Sequence, residues 1–270
     1  MTAYELMVKM NHYLIQNPAE DSLSHAQKRR IVTDLLAARS TPDQRRRFYL
    51  GVKFPGNLDA HGMRMYPDFF VPPYNDGKKY KTVLGQTPKT HILSANLYEL
   101  EILRLLHLFA PDDYDVRAMT ESTLERLYHT CFGNEDDGVG ECFDTNLMVI
   151  RYLSAAAPQN LVRIKSRMNV YERHKDDKKR PWYPGWYYWL CLSEMPYALA
   201  EPEIRKYLPD VLPWLTTKSC VMNSETDRTI HPVLLCILRN MVTRLREYHH
   251  AKEKQPYLGE DGRLYLRINE

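Results

Sequence analysis

NLYELEILRLLHLFAP, from Asn96 to Pro111, is the stretch on which the fold turns. Leu97, Leu100, Leu103, Leu106 and Phe109 recur at three-residue steps, with Ile102, Leu105 and Leu108 close beside them. A helix with this pattern is apolar over most of its circumference and has to be surrounded by others. Asn96 with Glu99 three residues on matches an Asn form of the capping box and marks the expected start, and Pro111 marks the end. The chain is therefore read as mainly α, built around a central helix from Asn96 to Ala110.

Working back from that helix, Leu6, Met7, Met10, Tyr13 and Leu14 lie on one face of a first helix that ends near Asn17 and Pro18. A second helix is expected from Ser24 to Arg39, with Ile31, Val32, Leu35 and Leu36 inward, and Pro42 suits the first position of a short third one. Between these and the central helix, residues 51–93 are rich in Pro, Gly, Lys and aromatic residues, among them Phe54, Tyr66, Phe69, Phe70, Tyr74 and Tyr80. Disordered segments tend to lack aromatics, so this long loop is expected to be ordered.

Working forward, Ala110-Pro111, Ala157-Pro158 and Glu201-Pro202 each follow an apolar helix end, about 45 residues apart, within the period of HEAT or armadillo helix pairs. Ser122 and Glu125 match a capping box for a helix with Leu124, Leu127, Tyr128 and Cys131 inward, closed by Gly133. Leu147, Ile150 and Leu153 line its partner. Leu161, Ile164, Met168 and Tyr171 begin the next pair, and Leu234, Leu238, Met241, Leu245 and Tyr248 mark a last helix. The expected fold is an irregular α-helical bundle or a HEAT-like stack of helix pairs.

At the end, Asp261-Gly262 is a turn signal, followed by alternation of Leu264, Leu266 and Ile268 with Arg263, Tyr265 and Arg267. That pattern predicts a small β-hairpin, and Lys79–Leu84 is a candidate third strand for it. The organisation read from these signals is an N-terminal helical segment over residues 1–50, a long ordered loop over 51–93, a helical main body over 94–255 and a hairpin over 256–270.

The chain has 270 residues, 44% of them hydrophobic and 26% charged, with a formal net charge of +3. A charge this small implies no polyanion partner unless it is clustered. Five cysteines spread over this length do not form a disulfide framework, so reduced thiols and no disulfides are expected. The N-terminus lacks the continuous apolar core of a signal peptide, and no window reaches the roughly 20 apolar residues of a membrane span. A cytoplasmic protein without membrane association is the expectation.

The strongest candidate surface is KKRPWYPGWYYWL, Lys178 to Leu190, in which Lys178, Lys179 and Arg180 precede Trp182, Tyr183, Trp186, Tyr187, Tyr188 and Trp189. Aromatic faces beside cations can stack bases and hold phosphates. On a helix starting near Gly185, Trp186, Trp189 and Leu190 share a side while Tyr187 and Tyr188 fall on others, so at least half the run is expected in the core. Lys78, Lys79 and Lys81 beside Tyr80 form a second basic aromatic segment.

The acidic turn NEDDGVGECFD gathers Glu135, Asp137, Glu141 and Asp144 as candidate cation ligands. Aligning Gly138 with the obligatory glycine of a calcium loop puts Gly133 in the first ligand position and Asp144 in place of the bidentate Glu, so the spacing fails. His129, Cys131 and Cys142 lack zinc-site spacing, and buried thiols are the simpler reading. GVGECF lacks the third glycine of a dinucleotide fingerprint, GQTPKT lacks the Gly-Lys pair of a phosphate loop, and there is no GxSxG elbow. No cofactor is expected. The sequence favours a non-catalytic helical binding module for a protein or nucleic-acid partner. The alternative is an enzyme with a pocket between the 51–93 loop and the helical body, using some of Asp59, His61, Asp68, His91, Glu135, Asp137 and Glu141 for acid/base or metal-assisted hydrolysis.

Overall fold

Several helix starts among the described residues are set by short polar residues that satisfy orphan amides. Thr2 Oγ1 accepts from Glu5 N while Thr2 N donates to Glu5 Oε2, which starts α1, Ala3–Gln16. Ser24 and Gln27 exchange the same pair of bonds at the start of α2, His25–Ala37. Thr41 and Gln44 do so again, with Asp43 and Gln44 already helical. Each such cap is worth on the order of 1 kcal/mol. The structure, a computed structural model, describes residues 1–18, 23–41, 43–44, 79–88, 90–129, 145–174 and 185–269.

The described part is mainly α with one small C-terminal hairpin. It continues with α3 (His91–Phe109), α4 (Tyr114–His129), α5 (Asn146–Ala156), α6 (Leu161–His174), α7 (Gly185–Glu194), α8 (Tyr197–Thr216), α9 (Glu225–Val242), a 3-10 helix (Arg246–Ala251), β1 (Tyr257–Leu258) and β2 (Leu264–Tyr265). No helix among the described residues is long and apolar enough to cross a membrane. The chain forms two compact units, Met1–Met10 with Leu23–Trp182, and Asn11–Ser22 with Tyr183–Glu270.

In the first unit α3 is central, as its apolar circumference predicts. It packs on α2, α4 and α5, and α5 packs on α6. Leu93, Leu97, Leu100, Ile102, Leu103, Leu105 and Leu106 are all buried. The helix starts one and a half turns earlier than Asn96: Thr90 Oγ1 accepts from Leu93 N, and Asn96 and Glu99 lie buried inside the helix. Glu99 is engaged instead by Arg126 of α4, at 2.7 Å. Ser122 and Glu125 likewise fall within α4, which starts where Asp113 Oδ1 accepts from Val116 N.

In the second unit α9 packs on α7 and α8. The carbonyls of Ile15 and Gln16, left over at the end of α1, accept from the buried Arg239 guanidinium, and Ile15 O also accepts from Asn240 Nδ2 at 2.7 Å. Helix ends must find such partners when they are buried. Pro202, Pro209 and Pro213 all lie inside α8, so Glu201-Pro202 does not mark a helix end as Ala110-Pro111 and Ala157-Pro158 do. The expected last helix divides as well, α9 stopping at Val242 before the 3-10 turn.

The hairpin pairs Tyr257 with Tyr265 and Leu258 with Leu264. Its turn runs through Glu260, Asp261 and Gly262, closed by Gly259 N to Arg263 O and Gly262 N to Gly259 O. Only Gly262 takes a positive φ, +73°, the left-handed position that follows a type I turn in a three-residue hairpin loop. The expected alternation holds: Leu264, Leu266 and Ile268 are buried. The third partner is Cys220, bridged to Leu264, and not Lys79–Leu84, where Thr82 to Gln86 closes a turn.

Candidate functional site: an aromatic and cationic face on the second unit

Helix α7 has to hide most of its circumference between two neighbours. Tyr187, Tyr188, Leu190, Cys191 and Leu192 are fully buried, which leaves Trp186, Trp189 and Ser193, at i, i+3 and i+7, half-exposed. The aromatic run is thus divided. Its tyrosines Tyr187 and Tyr188 are core, and its tryptophans Trp186 and Trp189 form an outward ridge.

That ridge is widened from α8. Tyr207 and Trp214, seven residues apart and so two turns along one side, are half-buried beside it. Trp186 meets Trp189 edge to face at 4.9 Å and Trp214 at 6.2 Å, and Trp189 meets Tyr207 at 6.4 Å. These are the preferred geometries of aromatic pairs, and each is worth about 0.5–1.5 kcal/mol beyond its area. Two ammonium groups lie over the rim: Lys218 Nζ sits 4.9 Å from the Trp214 ring and Lys206 Nζ 5.2 Å from that of Tyr207. Lys206 is also 3.6 Å from Glu203, and Asp210 is exposed on the same helix, so two carboxylates match these two cations.

The C-terminal tail adjoins the face. Arg267 donates to Lys218 O at 2.8 Å and Thr217 O at 3.1 Å, closing the end of α8, while its guanidinium lies 4.3 Å over Tyr265. Arg263 Nη1 reaches Ser219 Oγ at 3.4 Å. The Tyr265 hydroxyl donates to Asp261, and this bond, with one from Arg263 N, holds the Asp261 carboxyl below its usual range. The thiols of this unit are buried: burial pushes Cys236 up to about 11 and raises Cys220, and Cys191 lies in the core of α7.

Of the residues singled out from the sequence, Lys79 and Lys81 are described and belong to the first unit. Lys79 is half-buried and Lys81 exposed, flanking Tyr80, which stacks on Tyr4 at 4.3 Å and tilts against Tyr98 at 5.0 Å. Tyr4 Oη also accepts from Lys81 N and donates to Lys81 O, so this aromatic column is tied to the backbone. Lys78, Lys178, Lys179, Arg180, Trp182 and Tyr183 lie outside the described residues. So do Glu135, Asp137, Glu141 and Asp144, Asp59, His61 and Asp68, and the His91 side chain. Among the described residues no three His, Cys, Asp or Glu side chains gather as metal ligands.

The sequence reading missed Lys206, Tyr207, Trp214, Lys218 and Arg267. Tyr207 and Trp214 did carry a signal in their heptad spacing on one helix. Comparison with protein-family models, with curated proteins and with solved structures finds no match.

Proposed function

We propose that this protein is a non-catalytic binding module whose second unit holds single-stranded nucleic acid on the Trp186, Trp189, Tyr207 and Trp214 face. The observation that carries this reading is the clustering of three half-buried indoles, Trp186 and Trp189 on α7, whose other large side chains are buried, and Trp214 on α8. An indole left partly uncovered gives up a fraction of the burial worth about 1.5–3 kcal/mol for a large apolar side chain. Bases are flat apolar partners that recover it, each stacked base contributing about 1–3 kcal/mol regardless of sequence.

Charge assists without dominating. Lys218, Arg263 and Arg267 flank the rings, with Lys206 shared with Glu203. About three phosphates neutralised would give a salt slope near −2 for a single strand. Buried thiols at Cys220 and Cys236, in no disulfide, suit the cytoplasm, where such a module would meet its partner.

Fluorescence anisotropy of labelled oligo-dT and oligo-U, with duplex DNA as comparison, tests the reading across a salt series. Single strands are expected to bind and duplex to bind at least tenfold more weakly, because paired bases are already stacked. Equal affinity for duplex and single strand, or no binding at low salt, would refute stacking as the mode of recognition.

A further inference from the structure

We infer that the C-terminal hairpin extends the tryptophan face, with Tyr257 as a second base platform and Arg263 as its phosphate contact. The extension rests on the single-strand reading of that face. Four contacts join the two parts. Lys218 lies over Trp214; its carbonyl accepts from Arg267; Arg267 lies over Tyr265; and the Tyr265 ring pairs with Tyr257 at 5.9 Å with only 26° between planes. One chain of rings and cations thus runs from α7 to the edge strand.

The outer end of this chain is open to a ligand. Tyr257 is 45% exposed and Leu258 64% exposed, on a strand whose residues both face solvent. A two-residue strand of this kind gains little by exposing a tyrosine and a leucine, since natural edges are ordinarily blunted by charge. The turn is also shaped around the tyrosine ring. A Cβ on Gly259 would stand 2.8 Å from Tyr265 Cε2 and 2.9 Å from Asp261 Oδ1, so glycine lets the ring lie on the backbone where Asp261 holds its hydroxyl. Tyr265 and Arg267 are positioning residues in this arrangement. Tyr257 and Arg263 are the contacts.

The charge at this end is mixed. Arg263 is exposed, its side chain reaching Ser219 Oγ at 3.4 Å and acting electrostatically on Asp261, whose carboxylate accepts from the Tyr265 hydroxyl and Arg263 N, and Glu260 is exposed in the same turn. A single strand lying across the indoles would continue over Tyr257 with its backbone beside Arg263.

A length series separates this inference from the reading beneath it. Full-length protein and its Tyr257→Ala, Arg263→Gln and Trp186→Ala variants are titrated with oligo-dT and oligo-U from two to twelve nucleotides, with melting curves checking that each variant is folded. For the unaltered protein affinity should rise with length and then level off. Tyr257→Ala should bind the shortest oligonucleotides within twofold of normal and the longest about tenfold more weakly. Arg263→Gln should reduce the salt slope by about 0.7 on long oligonucleotides only. Trp186→Ala should weaken every length. If Tyr257→Ala matches the unaltered protein at all lengths, or loses equally at all lengths, the hairpin is not an extension while the tryptophan face stands. If Trp186→Ala changes nothing, or no oligonucleotide binds, the underlying reading falls and the extension with it.

Discussion

In the first unit arginine meets glutamate inside the helix layer, and in the second the cations lie over aromatic rings at the surface. Arg126 with Glu99 and Arg151 with Glu101 are both paired at 2.7 Å with side chains at most 7% exposed. Arg104 and Arg167 are buried with them. Lys206, Lys218 and Arg267 of the second unit instead keep their charge near water, over Tyr207, Trp214 and Tyr265. A buried pair is costly to desolvate and costlier to break, so it specifies how helices fit; an exposed cation on a ring costs little and stays available to an outside anion. The first unit buries charge in its architecture, though it too sets one cation over a ring, Arg163 at 4.4 Å from Tyr128. The second presents its charge.

This contrast is most severely tested by Arg151→Met, which removes the Nη1 that reaches both oxygens of the buried Glu101 at 2.7 Å. A loss of about 3–5 kcal/mol is expected in urea unfolding, enough to unfold a marginal unit. The counterpart on the other side is Lys218→Met, for which a stability change within about 0.5 kcal/mol is expected, with weaker oligonucleotide binding. If the two substitutions cost the same stability, the distinction between the units fails.

Arg239 sharpens the comparison, because it is the buried cation of the second unit and serves carbonyls of Ile15, Gln16 and Lys254 in place of a carboxylate. Arg239→Met should destabilise by about 1–3 kcal/mol for each carbonyl group left unsatisfied, less than an orphaned carboxylate would. Exchange of the amides at the end of α1 is the measurement that localises it.

A smaller effect is expected from pH. His107 of α3 is half-buried, and burial lowers its pKa below 6.5 although the Ala155 carbonyl opposes the shift. An unfolded imidazole protonates at that pH while the native one resists, so the unfolded state binds more protons and stability falls as pH drops below 6.5, levelling off beneath the folded pKa. His107→Gln should flatten that part of the stability profile. The smallest effect is chemical. With its pKa at about 11, Cys236 should not react with a thiol reagent at pH 8 until the unit unfolds, and fast labelling of the native protein would contradict its burial.

Much of the fold was legible because it rests on local pattern. The apolar circumference of α3, the α2 cap at Ser24 and the alternation of Leu264, Leu266 and Ile268 each follow from neighbours in sequence. What the sequence hid was long-range pairing. Asn96 and Glu99 look like a cap, yet Glu99 belongs to Arg126, and Thr90 is the local cap that competes successfully. Pro202 resembles a helix stop but is carried inside α8, whose side chains pack well enough to absorb the lost amide. The candidate face was half visible: the Trp186 run announces aromatics, but α7 alone cannot say which of them α9 covers. Trp214 comes from another helix altogether, and Lys218 from the residues just past its end.

The most direct measurement uses the protein's own fluorescence, since Trp186, Trp189 and Trp214 are three of its four tryptophans and all lie on the proposed face. Titration with oligo-dT should quench that emission saturably, with the midpoint matching the anisotropy Kd and recovering as salt is raised. Oligonucleotide binding that leaves the emission unchanged, or no binding at all at low salt, would contradict the assignment of the tryptophan face as the binding surface.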